Sequence, residues 1–220
     1  MKIRVIITGV TGMVGEGVLY ECLNHPEVES VLTVTRRSSG IQHEKLTEVV
    51  HNDFFNFIKI KDKLSGFNAC FFCLGTTSVG KNQEEYDRIT FQLTSEFADT
   101  LLQVNPGMTF CYVSGSGTDS TERGKIMWAR IKGKTENYLL PAGFKDAYMF
   151  RPALILPTKG LSNTLTMYKI FAPVLPLVKL VLHHHVCTLK QIGLAMINSV
   201  IKGYDKKILE VEDIKRLAYN

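Results

Sequence analysis

The chain has 220 residues, of which 45% are hydrophobic and 21% are charged, and its formal net charge is +5. This length suits one domain with a sizeable core, and the proportions are those of an ordinary globular protein. The weak positive charge suits an anionic ligand such as a phosphate. It is too small and too dispersed to indicate a nucleic-acid partner.

Short β-rich runs alternate with helical segments along the chain. The predicted strands are Ile3–Thr8, Ser30–Thr35, Glu48–His51, Asn68–Leu74, Met108–Ser114, Ala147–Arg151 and Lys207–Val211. The predicted helices are Gly12–Asn24, Gln83–Val104, Ile126–Leu140 and Thr188–Ile201. This alternation of near-continuously apolar strands with helices predicts an α/β fold with a doubly wound parallel sheet, a Rossmann fold. We treat residues 1–220 as a single nucleotide-binding domain, in which residues 152–220 contribute the substrate side.

A strongly apolar segment, Leu165–Leu182, interrupts this regular alternation. Lys169 and Lys179 lie within it, and two prolines break any helix. Its charge-free run is therefore far shorter than the roughly 20 residues that a membrane span needs. We expect the segment to pack against the substrate side of the sheet, with a membrane-surface segment or a homodimer contact as the alternatives.

Neither the cysteines nor the histidines predict a metal or redox site. Cys70 and Cys73 have CxxC spacing, but in a strand an offset of three places the two thiols on opposite faces. His183–His185 are consecutive, so regular structure cannot turn all three side chains toward one ion. The chain begins with a predicted strand and not with a signal sequence, which favours a cytoplasmic protein with reduced thiols.

The glycine-rich loop GVTGMVG, residues 9–15, joins the first predicted strand to the first helix. Gly9 permits a tight turn, Gly12 lets a pyrophosphate approach the backbone, and Gly15 lets the helix pack closely on the strand. Free N–H groups and the positive dipole end of the helix favour a phosphate at this position. The loop therefore predicts a dinucleotide-binding site. Its cofactor-binding residues are Gly9, Thr11, Gly12, Met13, Val14 and Gly15.

The end of the second predicted strand indicates which dinucleotide binds. A protein that prefers NAD usually has an acid there for the ribose hydroxyls, whereas this chain has Arg36 and Arg37. A guanidinium can bind the 2′-phosphate of NADP through two parallel hydrogen bonds. We therefore expect NADP (NADPH) to be preferred over NAD, with a solvent-facing side chain as the alternative for Arg37.

With these residues placed, the chain resembles the atypical short-chain dehydrogenases/reductases and, more narrowly, the Tat-interacting oxidoreductase-like proteins. The glycine spacing is typical of the extended and atypical branches, and the stretches "CLGTT", "KGKTE" and "FRPALIL" narrow the likeness. It also includes "GVTGMVGEGVL", "TRR", "VSGSGTD" and "DKKILEVEDIKRL", so it runs from Ile3 to about Leu217. Sequences of this kind are often described as NAD-dependent epimerases or dehydratases. The resemblance implies a Rossmann fold with a nicotinamide nucleotide.

The resemblance also implies roles for individual residues. Lys132 would hold the nicotinamide ribose hydroxyls, and Ser114 or Ser116 would bind the substrate carbonyl. The residues implied on the adenosine side are Asp53, Phe54, Leu74, Gly75 and Thr76. The residues implied to close over the nicotinamide are Arg151, Pro152 and Ala153. As alternatives, Asp53 could cap the next segment, Ser114 could be a turn hydroxyl, and Arg151 could pair with a surface acid.

Trp128 stands where this family has a tyrosine, four residues before Lys132. In the family that tyrosine exchanges a proton with the substrate oxygen, and the lysine lowers its pKa. An indole N–H is only a donor and does not ionise usefully, so Trp128 cannot take this role. The alternatives for proton transfer are Ser114, Ser116, a water held by Lys132, Tyr168 or the substrate itself. Trp128 would pack either in the core or against the nicotinamide or substrate.

Two functions of different kinds fit these residues. The first is an NADP-dependent oxidoreductase or epimerase-like enzyme for a small carbonyl compound, whose identity the sequence does not give. The second is a catalytically weak or inactive NADP-responsive sensor or scaffold that binds protein partners. Trp128 and the exposed apolar patch that Leu165–Leu182 could form favour the second. A membrane-associated protein is the less favoured third alternative.

Overall fold

A parallel β-sheet forms the centre of the computed structural model, which describes residues 2–158, 160–163 and 183–219. Its strands are β1 Ile3–Thr8, β2 Val28–Thr35, β3 Leu46–Val50, β4 Ala69–Phe72, β5 Thr109–Val113, β6 Asp146–Arg151 and β9 Ile208–Glu210. Two further strands, β7 Leu154–Leu156 and β8 Val186–Thr188, pair in a separate small sheet. The helices are α1 Met13–Asn24, α2 Gln83–Asp87, α3 Leu93–Val104, α4 Met127–Leu139, α5 Leu189–Lys202 and α6 Val211–Tyr219.

The strand order of the large sheet is β3-β2-β1-β4-β5-β6-β9, and all neighbouring strands are parallel. The chain therefore starts in the middle of the sheet, winds outward to β3, and continues on the other side from β4. The connections that follow β1 and β4 run in opposite directions, which opens a crevice at the carboxyl ends of these strands. This order confirms the doubly wound parallel sheet predicted from the sequence.

Two apolar clusters cover the two faces of the sheet. On one face, α1, α5 and α6 contribute buried side chains such as Leu19 and Ile214. On the other face, α3 and α4 contribute buried side chains such as Phe97. Cys70 belongs to the second cluster and Cys73 packs against the first, so the two thiols face opposite sides of the sheet as the strand periodicity predicts.

The structure differs from the predicted elements in several places, and the short strands β7 and β8 and a 3-10 helix at Ile58–Leu64 were not predicted. The predicted helix Gln83–Val104 contains a π-helical turn at Arg88–Gln92, which separates α2 from α3. The predicted strand Lys207–Val211 ends at Glu210, and the chain continues as α6, which was not predicted. This helix forms because its buried positions recur at helical spacing. They are Val211, Ile214, Leu217 and Ala218.

The predicted apolar segment Leu165–Leu182, with the candidate Tyr168, lies outside the described residues. Of the helices in the described ranges, none combines the length and the apolar character that crossing a bilayer requires.

Candidate functional site

The loop after β1 packs so closely that two of its positions have no room for a side chain. Gly9 has a left-handed φ of 73°, and a Cβ there would lie 2.7 Å from backbone atoms of Cys73 and Leu74. A Cβ on Gly15 would overlap the carbonyl oxygen of Gly9. The loop therefore lies against the end of β4, and α1 begins directly above it.

A cavity lies at the N-terminal end of α1, and the N-cap residue Gly12 lines it. Gly12 has no side chain to accept from the N–H groups of the first helical turn, as a serine or aspartate would. The cavity has a volume of about 580 Å³. It is lined by Gly9, Val10, Thr11, Gly12, Val34, Thr35, Arg36, Arg37, Phe54, Cys73, Leu74 and Gly75. The glycine loop and the end of β2 thus share one opening at the predicted phosphate position.

Three polar residues at and after the end of β2 line this cavity. The Thr35 hydroxyl is buried, and no group in the described ranges hydrogen-bonds to it. Arg36 and Arg37 are exposed, and neither guanidinium has an acidic partner within the described residues. A nucleotide fits this arrangement, since its ribose could satisfy the hydroxyl and its phosphates could pair with the guanidinium groups.

A second cavity of about 540 Å³ adjoins the first and holds the predicted adenosine residues. Phe54 is buried and lines both cavities. Asp53 is exposed, and its Oδ1 accepts a hydrogen bond of 3.1 Å from the backbone N–H of Phe55. The predicted residues at this cavity are Asp53, Phe54, Leu74, Gly75 and Thr76. Asp53 therefore caps a local turn, which is the alternative to adenine binding that the sequence left open for it. It also lines the second cavity.

Lys132 projects from α4 toward the end of β5, where its ammonium group donates a hydrogen bond to the carbonyl oxygen of Ser114. Burial lowers the pKa of Lys132 to about 8, although the nearby carboxylate of Glu136 acts in the opposite direction. The lysine is therefore held beside the loop after β5 and can exchange a proton near neutral pH.

Ser114 turns its hydroxyl into the protein and not toward the opening. The hydroxyl donates to Glu136 Oε1 at 2.5 Å and also lies 3.1 Å from the carbonyl oxygen of Phe150. Ser114 is only 5% exposed, whereas Ser116 is exposed, with its backbone N–H bound to the carbonyl oxygen of Pro152. Of the two serines expected at a substrate carbonyl, the geometry favours Ser116.

Arg151 forms a buried ion pair and does not have the cofactor-facing position expected for it. Its Nε and Nη2 donate to the two carboxylate oxygens of Glu136 at 3.0 and 2.5 Å. Nη2 also reaches the hydroxyl of Ser120, and Nη1 lies 3.3 Å from Glu210. The acid that holds Arg151 is thus mainly the fully buried Glu136, and the more exposed Glu210 is the weaker partner.

Trp128 is half-buried and lies one helical turn before Lys132, on the same face of α4. A Cβ on Gly117 would lie 3.6 Å from the Trp128 ring, so the indole contacts the loop that carries Ser116. The same loop packs on α4 at Gly133, where a Cβ would overlap the carbonyl oxygen of Asp119. Trp128 and Lys132 therefore both contact the loop that follows β5 and carries Ser116.

The role of Glu136 was missed by the sequence prediction, although "KGKTE" drew attention to it. Its spacing of four from Lys132 places both on one helix face, and this was the available signal. The involvement of Arg88 was also missed. Its guanidinium lies 4.7 Å from the ring centre of Phe55 at the wall of the second cavity. Arg88 starts the π-helical turn, which periodicity does not reveal.

Comparison with known proteins identifies the family. A family model described as the NAD dependent epimerase/dehydratase family matches residues 5–119, just over half of the chain. The chain belongs to this family. The membership agrees with the Rossmann fold that the alternation of strands and helices predicts.

Curated relatives share the name Fmp52. "Protein fmp52-1, mitochondrial" of Aspergillus terreus is 30% identical over 167 residues, which are 73% of this chain and 70% of the relative. "Protein fmp52, mitochondrial" of Emericella nidulans is 28% identical and matches 69% of this chain and 66% of its own length. The chain thus covers about two thirds of these relatives. The narrower likeness to Tat-interacting oxidoreductase-like proteins stays a prediction.

Solved structures share the fold at low identity. ADP-L-glycero-D-manno-heptose-6-epimerase from Helicobacter pylori has a TM-score of 0.69 and 13% identity, over 97% of this chain and 80% of that one. The enzyme WbmG of Bordetella bronchiseptica, solved in complex with NAD, has a TM-score of 0.68 and 10% identity, over 99% and 77% of the two chains. These similarities support the Rossmann fold.

The expected cytoplasmic location is wrong on this comparison. The curated relatives from Aspergillus terreus, Emericella nidulans and Meyerozyma guilliermondii are all named as mitochondrial proteins. The expectation rested on the interpretation of the first residues as a strand, which does not distinguish these two compartments.

Removing the carboxylate of Glu136 should strongly destabilise the fold. We expect Glu136→Ala to lower the free energy of unfolding by about 3–5 kcal/mol, because it leaves the buried guanidinium of Arg151 without its main partner. Urea unfolding measures this change. The exposed Glu44 provides a control, since Glu44→Ala should change stability by no more than about 0.5 kcal/mol. Equal losses of unfolding free energy in the two variants would contradict the role of Glu136 as the main partner of Arg151.

Proposed function

We propose that the protein is an NADP-dependent oxidoreductase for a small carbonyl compound, in which Lys132 takes over the proton transfer of the missing tyrosine. The main support is the position of Lys132, which lies beside Trp128 and the Ser116 loop at the carboxyl end of β5. The description of the family names NAD and gives no support for NADP. The proposed preference for NADP therefore rests on Arg36 and Arg37, which line the first cavity.

The chain's own residues would hold the nucleotide at three positions. The first turn of α1 receives the pyrophosphate, because its N–H groups are free and Gly12 leaves the backbone accessible. Arg36 and Arg37 bind the 2′-phosphate, and Phe54 lies beside the adenosine. When bound, the nicotinamide nucleotide supplies or accepts a hydride.

Proton transfer at the substrate oxygen is assigned to the Lys132 ammonium group. One of its N–H bonds is directed to the Ser114 carbonyl oxygen, and two others remain for a ligand. Ser116 donates its hydroxyl to the same substrate oxygen. During reduction Lys132 gives up a proton as the carbonyl becomes an alcohol, and it then regains a proton from water.

The location proposed for the protein is the mitochondrion, by analogy with its named relatives. A second function, an NADP-responsive sensor with weak or no turnover, is favoured by the indole of Trp128 in the tyrosine position. Both functions need the same nucleotide site, so they differ in turnover and not in binding.

Nucleotide preference can be measured through Trp128, which is the only tryptophan. We expect Arg36→Ala and Arg37→Ala to weaken NADPH binding by roughly 10- to 100-fold each, because a hydrogen bond to a charged group contributes about 1.5–3 kcal/mol. NADH binding should change little. Quenching of Trp fluorescence during titration measures both affinities.

A matched control for these variants is Arg216→Ala, which removes the same charge from the exposed side of α6. It should leave both affinities unchanged. If NADPH and NADH bind wild-type protein equally and the arginine variants affect both alike, the proposed NADP preference is wrong.

The pH dependence of turnover tests the role of Lys132. Because burial lowers its pKa to about 8, Lys132 is mostly protonated below that pH and mostly neutral above it. We therefore expect carbonyl reduction with NADPH to decrease as the pH rises through about 8. The assay follows NADPH oxidation with a panel of small aldehydes and ketones between pH 6 and pH 10, at saturating NADPH.

The control for this assay is Lys132→Arg, which keeps the positive charge but does not release its proton. It should bind NADPH and lose roughly 10²–10⁴-fold in turnover. A reduction rate that increases above pH 8, or an arginine variant as active as wild type, would refute the assignment. NADPH binding without turnover of any carbonyl compound would favour the sensor.

A further inference from the structure

Glu16 is a buried acid in the first turn of α1, and the proposed nucleotide site gives it no role. It is 7% exposed and directly follows the last glycine of the phosphate loop. A negative charge at this position opposes the binding of phosphates to the same helix turn, although it interacts favourably with the helix dipole. Its burial therefore calls for specific partners.

The partners of Glu16 lie 146 and 147 residues further along the chain. Oε1 accepts a hydrogen bond from the backbone N–H of Ser162, and Oε2 accepts one from the backbone N–H of Asn163, both at 2.7 Å. Two charge-assisted bonds from consecutive amides satisfy both oxygens of the carboxylate. They connect α1 to the part of the chain assigned to the substrate side.

These groups border a third cavity, of about 360 Å³, next to the phosphate loop. Glu16, Arg37, Ser162 and Asn163 are among the polar residues that line it. Arg37 also lines the first cavity, so the two openings are adjacent. The amides of residues 162 and 163 are thus fixed close to where the nucleotide phosphates are proposed to bind.

We propose that Glu16 is a positioning residue that fixes the 160–163 segment to the phosphate-binding turn and thereby couples nucleotide binding to the substrate side. Phosphates that order the first turn of α1 also order the carboxylate on that turn. The carboxylate in turn holds the two amides. The nucleotide part of this inference rests on the proposed function, whereas the anchoring contact is independent of it.

Hydrogen–deuterium exchange at the Ser162 and Asn163 amides tests the anchor without any ligand. We expect Glu16→Gln and Glu16→Asp to speed exchange at these amides by about tenfold or more, since each loses a charge-assisted hydrogen bond. Glutamine turns an N–H group toward one amide, and aspartate is one methylene shorter but keeps the charge. Glu21→Gln is the matched control, because it neutralises another buried acid of α1 and should not change this exchange.

Repeating the exchange with NADPH tests the coupling. In wild type, NADPH should slow exchange at both amides further. In the two Glu16 variants it should still bind, with unchanged or tighter affinity for Glu16→Gln, but should no longer affect these amides. The proposal is overturned if the variants exchange as slowly as wild type, or if NADPH protects the amides equally in all proteins. If NADPH does not bind wild type, the proposed function and the coupling both fail. The exchange rates measured without ligand still test whether Glu16 holds the two amides.

Discussion

The site depends first on a steric constraint, the absence of side chains at Gly9 and Gly15. Any Cβ at these positions would collide with the backbone of β4 or of the loop itself. Because the backbone is that close, the first turn of α1 begins directly over the crevice between β1 and β4. The buried Glu16 takes its position from this turn, and the first cavity lies between the loop and the end of β2.

A buried ion pair organises the other half of the site. Glu136 lies on α4 one turn beyond Lys132, and it holds both the hydroxyl of Ser114 and the guanidinium of Arg151. The carboxyl ends of β5 and β6 are therefore fixed to one helix. This pair adds to the backbone hydrogen bond from the Ser114 N–H to the Phe150 carbonyl oxygen, which holds Ser114 at the edge of the sheet. The stretch KGKTE, which includes Glu136, thus fixes the ends of β5 and β6 relative to α4.

Local features of the sequence predicted the sheet and the phosphate loop because each depends on short-range constraints. Apolar runs, glycine spacing and helix periodicity are all visible within about fifteen residues. The arrangement of Arg151, Ser114 and Glu16 could not be predicted in this way, since each bonds to groups far along the chain. A polar residue beside a motif indicates that a site is near, but its partner decides whether it faces the ligand or the protein.

Trp128 has no group that ionises usefully, whereas Lys132, one helical turn later on α4, does. Lys132 is bound to the Ser114 carbonyl oxygen and lies near Glu136, so it has structural reasons to remain in place when the tyrosine is absent. Its burial nevertheless raises the free energy of the charged form and makes the proton easier to release. The proposed proton transfer rests on Lys132, whereas the proposed nucleotide binding rests on the loop after β1 and the end of β2. Because the two depend on different residues, binding and turnover must be measured separately.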